Sequence, residues 1–254
     1  ARGRRMRAAT AARALAVQAV AMRRLVPLLA AAVAAGCRGP QSMLDPAGPA
    51  AAAIARTWWL MAGAALAVLL LVLGLLARAM LRRQPAPPMA RPERFIVLGG
   101  LVLPTVALFA LLVYGTLAGR TVIGVGVDTD RVVRVTARQW QWQFEHLAPD
   151  GTVLARSLDR LVLPQGEMVE FQVGSEDVIH SFWIPRLGGK VDAIPGRSNR
   201  LRLRADVAGA MRGQCAEFCG REHAHMAFSV EVLDPASFAG WLDGRAAGDA
   251  GSTP

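Results

Sequence analysis

Two stretches of this chain carry no charged residue: 57–77, which opens with Trp58-Trp59, and 95–119. At ~1.5 Å rise per residue, each is long enough to cross a hydrocarbon core of ~30 Å. A helix buried in a soluble protein rarely stays apolar on every side for so long. The pattern predicts two transmembrane helices over 57–77 and 95–119, with the paired tryptophans at a membrane interface. From residue 120 onward the period changes to two. Gln139-Trp140-Gln141-Trp142-Gln143-Phe144 alternates strictly, which predicts a strand with Trp140, Trp142 and Phe144 on one face. Further short strands are expected at 161–164, 168–173, 201–204 and 228–233, separated by Gly, Pro and Asp turns such as Pro164-Gln165-Gly166-Glu167. Strands this short and this closely spaced predict a β-sandwich or barrel of about 115 residues.

The remaining segments divide the chain. Residues 1–21 form an Arg/Ala-rich leader, and Met22-Arg23-Arg24 followed by apolar residues to Gly36 has the charge order of a secretory signal. That stretch ends in Ala34-Ala35-Gly36-Cys37, which resembles a bacterial lipoprotein box and makes Cys37 a lipidation candidate. The alternatives are a plain signal sequence or an uncleaved apolar segment with an incidental cysteine. The expected organisation is leader and signal to 37, a Pro/Gly/Ala linker at 38–56 that turns helical near its end, a transmembrane hairpin at 57–119, an exported domain at 120–240 and a flexible tail at 241–254.

The net charge of +10 invites a nucleic-acid partner, but its distribution argues against one. Residues 1–119 carry +12 and residues 120–254 carry −2, so the basic excess lies beside the apolar runs. Between those runs Arg78, Arg82, Arg83, Arg91 and Arg94 face a single acid, Glu93. Short basic loops stay in the cytoplasm, so both outer ends are expected on the opposite side of the membrane. No nucleic-acid motif is present.

The chemistry concentrates in one run, Gln214-Cys-Ala-Glu-Phe-Cys-Gly-Arg-Glu-His-Ala-His-Met226, with His180 upstream. Cys215, Cys219, His180, His223 and Met226 offer two thiols, two imidazoles and a thioether, the donor set of copper electron-transfer sites. One such copper needs one thiolate, whereas two cysteines four residues apart in one loop can bridge two copper ions. A disulfide between them or a zinc site are the competing readings. The first would leave two histidines and a methionine unexplained at ligand spacing, and the second has no use for Met226.

This spacing, with a histidine about 35 residues earlier, resembles the Cu-A centre of cytochrome c oxidase subunit II. The neighbouring text is similar as well: Ser175-Glu176-Asp177-Val178-Ile179-His180-Ser181-Phe182, Lys190-Val191-Asp192-Ala193-Ile194-Pro195-Gly196-Arg197 and Gln139-Trp140-Gln141-Trp142. The resemblance covers roughly residues 50 to 245. It implies a membrane-anchored all-β protein: a two-helix transmembrane hairpin followed by a cupredoxin-like Greek-key β-sandwich, with the copper run joining its last two strands. It further implies two copper ions bridged by Cys215 and Cys219, capped by His180 and His223, with Met226 and the Glu217 carbonyl as weak axial ligands. The Glu217 carboxylate would help bind magnesium at the border with oxidase subunit I. Trp140 would receive electrons from cytochrome c, and Trp142 would pack in the core. Glu145, Glu176 and Asp177 are candidates for an acidic docking patch. The implied partners are subunit I, subunit III, cytochrome c and membrane lipid, in a bacterial inner membrane with the N-terminus and copper domain on the periplasmic side. The implied role is electron delivery to haem in subunit I for oxygen reduction coupled to proton pumping. A quinol-oxidase subunit would lack these ligands, nitrous oxide reductase needs more than the four histidines present, and a copper carrier would not need the tryptophan strand. No Cys-x-x-Cys-His haem motif follows residue 230.

Overall fold

The computed structural model describes residues 23, 25, 36–82, 92–123 and 126–249, with side chains placed through 244. The leader, most of the signal stretch, Arg83 and Arg91 of the basic loop, and residues 250–254 lie outside the described residues.

Helix α1 spans Pro49–Leu81, 33 residues, and so begins well before the uncharged run. Pro49 suits the first helical position because its missing N–H has no partner there anyway. Ala50, Ala51, Ala53 and Ala55 in the first turns are buried, and from Trp58 onward the helix exposes apolar side chains on every face. That division marks where protein packing gives way to a lipid-facing surface. The second apolar run is longer than expected too. It consists of α2 (Pro92–Val97), a widened π turn at Leu98–Val102 and α3 (Leu103–Ile123). Pro104 explains the widening: it has no N–H to give Gly100, and its ring crowds that carbonyl. The Leu103 N–H reaches back to the Leu98 carbonyl instead. Helices α1 and α3 pack side by side.

Residues 131–233 form a sandwich of two five-stranded sheets. Its strands are β1 Arg131–Arg138, β2 Gln141–Leu147, β3 Val153–Leu158, β4 Arg160–Pro164, β5 Met168–Ser175, β6 His180–Trp183, β7 Val191–Ala193, β8 Asn199–Arg204, β9 Gly209–Cys215 and β10 Ala227–Leu233. One sheet has the order β3-β2-β1-β5-β8 and the other β4-β10-β9-β6-β7, so the chain crosses repeatedly between layers. The pairs β1–β5 and β4–β10 are parallel and the rest are antiparallel. Helix α4, Pro235–Asp249, packs on the sandwich, so the stretch that reads as a flexible tail from residue 241 is instead helical through Asp249, with Trp241 held against His146 and Phe238. Between the sheets the core is aromatic. Phe182 stacks on Phe228 with centroids 5.3 Å apart, and Trp142 meets both edge-on.

Two further sequence expectations need revision. Trp140 does not share a strand face with Trp142 and Phe144. Arg138 pairs with Gln141 across the β1–β2 hairpin, which leaves Gln139-Trp140 as its two-residue turn. Alternation therefore starts only at Gln141: Trp142 and Phe144 are fully buried, and Trp140 is 36% exposed. The stretch that reads as a linker is also fastened to the sandwich from Pro40 onward. Ala47 gives its N–H to the Arg186 carbonyl and takes the Asp206 N–H, both at 2.8 Å. The small side chains of Ala47 and Ala50 fit into the hydrophobic core, which larger residues there would not.

At the α4 end of the sandwich, His146 is buried between the rings of Phe238 and Trp241, at centroid distances of 5.8 and 5.2 Å. Burial, and then the nearby Arg131 charge, pushes its pKa from 6.5 down to about 4. Between those values the unfolded chain binds a proton that the folded one refuses, so acid favours unfolding. Urea unfolding of the copper-free chain, followed by tryptophan fluorescence, should show stability declining as pH falls from 6.5 through 4, by up to about 3 kcal/mol. The variant His146→Phe should flatten that part of the profile.

Candidate metal centre

The site is built where β9 ends and β10 begins. Ala227 pairs with Gln214 and Phe228 with Gly213, so the two strands emerge side by side with a ten-residue excursion between Cys215 and Met226 held at its base. The Cys215 N–H donates to the Met226 carbonyl at 2.8 Å, closing that base. Gly213 has no side chain because the Phe228 ring occupies the space where one would stand. Gly220, at φ +115°, takes a turn that a residue with a Cβ would resist. The loop then tightens into a single 3₁₀ turn at His223–His225. On the other side, β6 opens with His180 and lies against β9 with Phe182 opposite Cys215. The Ala216 N–H donates to the Ser181 carbonyl at 2.9 Å, which ties the two ligand segments together.

Five side chains converge as a result. Cys215 Sγ lies 3.8 Å from Cys219 Sγ and 3.8 Å from His180 Nδ1. Cys219 Sγ lies 3.5 Å from His223 Nδ1 and 3.7 Å from Met226 Sδ. The Glu217 carbonyl oxygen is 3.2 Å from Cys215 Sγ. His180, Cys215, Cys219 and Met226 are buried, and His223 is half-buried beneath the exposed ring of Phe218. The ligand atoms of His180, Cys215 and Cys219 all lie within 4.8 Å of one another. At 3.8 Å the two sulfurs are not joined, since a disulfide requires about 2.05 Å. A structural zinc ion would leave the Met226 thioether without a role. Buried thiols, imidazoles and a thioether match the preferences of copper.

Supporting contacts orient these donors. His180 Nε2 is 2.9 Å from Asp177 Oδ1, so its Nδ1 is left facing the sulfurs. Asp177 also accepts the N–H groups of Gln139 at 2.7 Å and Val178 at 2.6 Å. Burial alone would raise the Asp177 pKa, but the Gln139 N–H, the His180 ring and the Val178 N–H outweigh it and hold the carboxyl below its ordinary range. The Gln139-Trp140 turn reaches the ligand loop directly: Gln139 Nε2 and Trp140 Nε1 donate to the Cys219 carbonyl at 2.8 and 3.3 Å. Lys190 Nζ donates to the Ala216 carbonyl at 3.0 Å and stands 3.6 Å from the half-exposed Glu217 carboxylate. Burial, then the neighbouring Cys215, pushes the Cys219 thiol up to about 12.

The structure therefore brings together His180, Cys215, Cys219, His223, Met226 and the Glu217 carbonyl, with Trp140 against the loop. Two docking candidates take other roles. Glu145 is not a free surface acid: its side chain is 7% exposed and ion-paired with Arg134 at 3.0 Å and Arg156 at 2.6 Å. Burial would raise its pKa, and those two guanidinium groups bring it below the ordinary range. Asp177 is committed to His180 and the Gln139 turn. Glu176 is exposed. Cys37 is half-buried at the head of the fastened segment, and its carbonyl accepts the Ser42 hydroxyl at 2.6 Å. Gln139 braces the ligand loop although nothing in its side chain marks it in the sequence beyond its place beside Trp140.

Comparison with known proteins bears on this geometry. Residues 145–233 match the family model described as cytochrome C oxidase subunit II, periplasmic domain. A cytochrome c oxidase subunit 2 from Alkalihalophilus pseudofirmus is 31% identical over 227 residues, 84% of this chain and 65% of that protein. A probable cytochrome c oxidase subunit 2 from Rickettsia felis is 35% identical over 132 residues, 45% of this chain and 42% of that protein. The chain thus spans less than two thirds of the length of either relative. Among solved structures, the periplasmic domain of subunit II of cytochrome oxidase (CoxB) from Bradyrhizobium japonicum is 32% identical, with a TM-score of 0.41, over 47% of this chain and 95% of that one.

The raised Cys219 pKa has a measurable effect on metal uptake. A thiol that holds its proton to about 12 must release it when a metal binds as thiolate, so copper affinity should rise about tenfold per pH unit for each proton displaced. Titration of the metal-free chain with Cu(I) between about pH 6 and 8, below the thiol's pKa, should show that slope. A pH-independent affinity would rule out ligation by Cys219.

Proposed function

We propose, from its similarity to cytochrome c oxidase subunit II, that the chain is a member of that family, accepts single electrons from a cytochrome c at a two-copper centre and passes them to haem in oxidase subunit I. The reading rests on one observation above the others: the convergence of two thiols, two imidazole Nδ1 atoms and a thioether in a buried pocket closed by backbone hydrogen bonds.

Cys215, Cys219, His180, His223, Met226 Sδ and the Glu217 carbonyl would hold the copper. Copper bound there would supply one-electron redox chemistry. The protein's part is to keep the donors still. Their backbones are clamped by the Cys215–Met226 and Ala216–Ser181 hydrogen bonds, so little needs to move when an electron arrives or leaves. Burial keeps water from the sulfurs. Trp140 is the route in: its ring is part-exposed, and its Nε1–H bonds the Cys219 carbonyl. Val178, Ile179 and Phe218 are exposed near that route and give a donor an apolar surface to meet, with Glu176 as the remaining acidic docking candidate.

The Glu217 carboxylate is paired with Lys190, and a magnesium ion at the subunit I border would take the place of that ammonium. The two apolar helices anchor the chain in the membrane. The positive-inside rule puts the loop holding Arg78, Arg82 and Arg94 in the cytoplasm and the copper domain in the periplasm. Subunit I, subunit III and lipid would cover the helices, oxygen reduction and proton pumping would occur in the assembled oxidase, and Cys37 would carry the lipid.

Electron paramagnetic resonance on the copper-loaded full chain tests this reading. Two coppers per chain with a delocalised mixed-valence signal are expected, and one copper with a single-ion hyperfine pattern would sink it. The variant Trp140→Gln should keep that copper content and spectrum while cytochrome c oxidation by the assembled oxidase falls sharply. Trp142→Gln should instead lower stability and copper retention together, since truncating a buried aromatic costs ~3–5 kcal/mol.

A further inference from the structure

Strand β9 delivers Cys215, yet its neighbour β6 accompanies it for only two residue pairs, Phe182 with Cys215 and Trp183 with Gln214. Beyond Trp183 the β6 chain turns away, which would leave the rest of β9 without a partner on that side. A different part of the protein takes its place. The Arg212 N–H donates to the Pro40 carbonyl at 3.0 Å, and Gln41 Nε2 donates to the Gln214 side-chain oxygen at 2.8 Å. Gln214 is the residue immediately before the ligand.

The same segment is also fastened to the loop that follows the His180 strand. Arg186 Nε donates to the Asp45 carbonyl at 2.8 Å, and its guanidinium pairs with the Asp45 carboxylate at 3.1 Å. Ala47 and Ala51 donate to the carbonyls of Arg186 and Leu187 at 2.8 and 3.1 Å. Gly48 passes the Arg204 carbonyl so closely that any side chain would collide with it. Helix α1 starts at the next residue, and Ala50 lies in the domain core.

We propose that residues 40–48 are a positioning strap for the copper ligands, with Gln41 and Asp45 as its working side chains: the strap completes the edge of β9 beside Cys215, grips the loop that follows the His180 strand, and fixes both to the first membrane helix. The inference rests on the copper reading for what the strap positions, but its contacts stand independently of any metal. The strap partners the open side of β9 and limits how far Gln214 and Cys215 can shift relative to His180. It makes the copper domain and the membrane helix one mechanical unit at that point, so the ligands are held by chain lying on the opposite side of α1 from the rest of the domain's sequence.

The test uses the full chain in detergent with three variants: Gly48→Val, which cannot pass the Arg204 carbonyl, Asp45→Arg, and the swap Asp45→Arg with Arg186→Asp. In the copper-free chain, hydrogen exchange at the Arg212 amide should speed up in Gly48→Val and Asp45→Arg and slow again part of the way in the swap, which restores the ion pair but not the bond from residue 186 to the residue-45 carbonyl. Exchange at Val133 and Val135, in the opposite sheet, should stay unchanged in all three and so reports that the domain remains folded. With copper bound, the first two variants should lose the metal on the order of tenfold faster, as expected when a ligand's supporting contacts are removed, with a shifted thiolate-to-copper absorption band. The swap should restore both in part. Unchanged Arg212 exchange in Asp45→Arg or in Gly48→Val would overturn the strap. An unaltered copper band and loss rate in a variant whose Arg212 exchange has accelerated would overturn its positioning role. Failure of the parent chain to bind copper would count against the functional reading, while the Arg212 exchange would still decide whether the strap holds β9.

Discussion

The backbone hydrogen bond from Cys215 to the Met226 carbonyl is the constraint on which the site depends. A loop of this length between antiparallel strands has many conformations, and closing its base removes most of them before any metal binds. The bond forms because β9 and β10 are in register at Gly213–Phe228 and Gln214–Ala227. That register is set by aromatic packing: the Phe228 ring fills the space over Gly213 and stacks on Phe182, whose strand carries His180. Core packing and ligand geometry are therefore one arrangement. Altering Phe228 would disturb the spacing of the sulfurs without touching a ligand.

The polar contacts around the site extend the same logic outward. Asp177 joins His180 to the Gln139-Trp140 turn, and that turn joins the Cys219 carbonyl. Ligands from two separate segments thus share one brace. The outer surface of the β1-containing sheet is organised differently. Glu145 and Glu170 lie nearly buried, with Arg134, Arg156, Arg200 and Arg202 more exposed around them. Solvent meets guanidinium groups there, although residues 120–254 are slightly acidic by count.

What the sequence made legible was local. The ligand run, the uncharged helical stretches and the alternation after Gln141 each depend on neighbours a few residues apart, and the structure has a loop, two helices and a strand there, with the helices extending beyond the uncharged runs. What it hid depends on long-range register. Trp140 reads as one more inward position until the pairing of Arg138 with Gln141 turns it into a hairpin tip. Glu145 and Asp177 read as free acids because their partners come from other strands or from a turn nearly forty residues away. The stretch from Pro40 to Gly48 has linker composition, and small residues are also what a tightly docked segment requires. Composition alone does not separate those two cases.

The widened turn at Leu98–Val102 also affects the second membrane helix as a whole. A π turn holds one residue more than an α turn, and one residue corresponds to about 100° of rotation about the helix axis. Everything from Leu103 onward is thereby out of phase with Phe95 and Ile96. A heptad drawn through Pro92–Ile123 as one uninterrupted helix would assign the wrong azimuth to half of it. The membrane segment offers two differently aimed faces stacked along one axis, and neighbours at its two depths must approach from different sides.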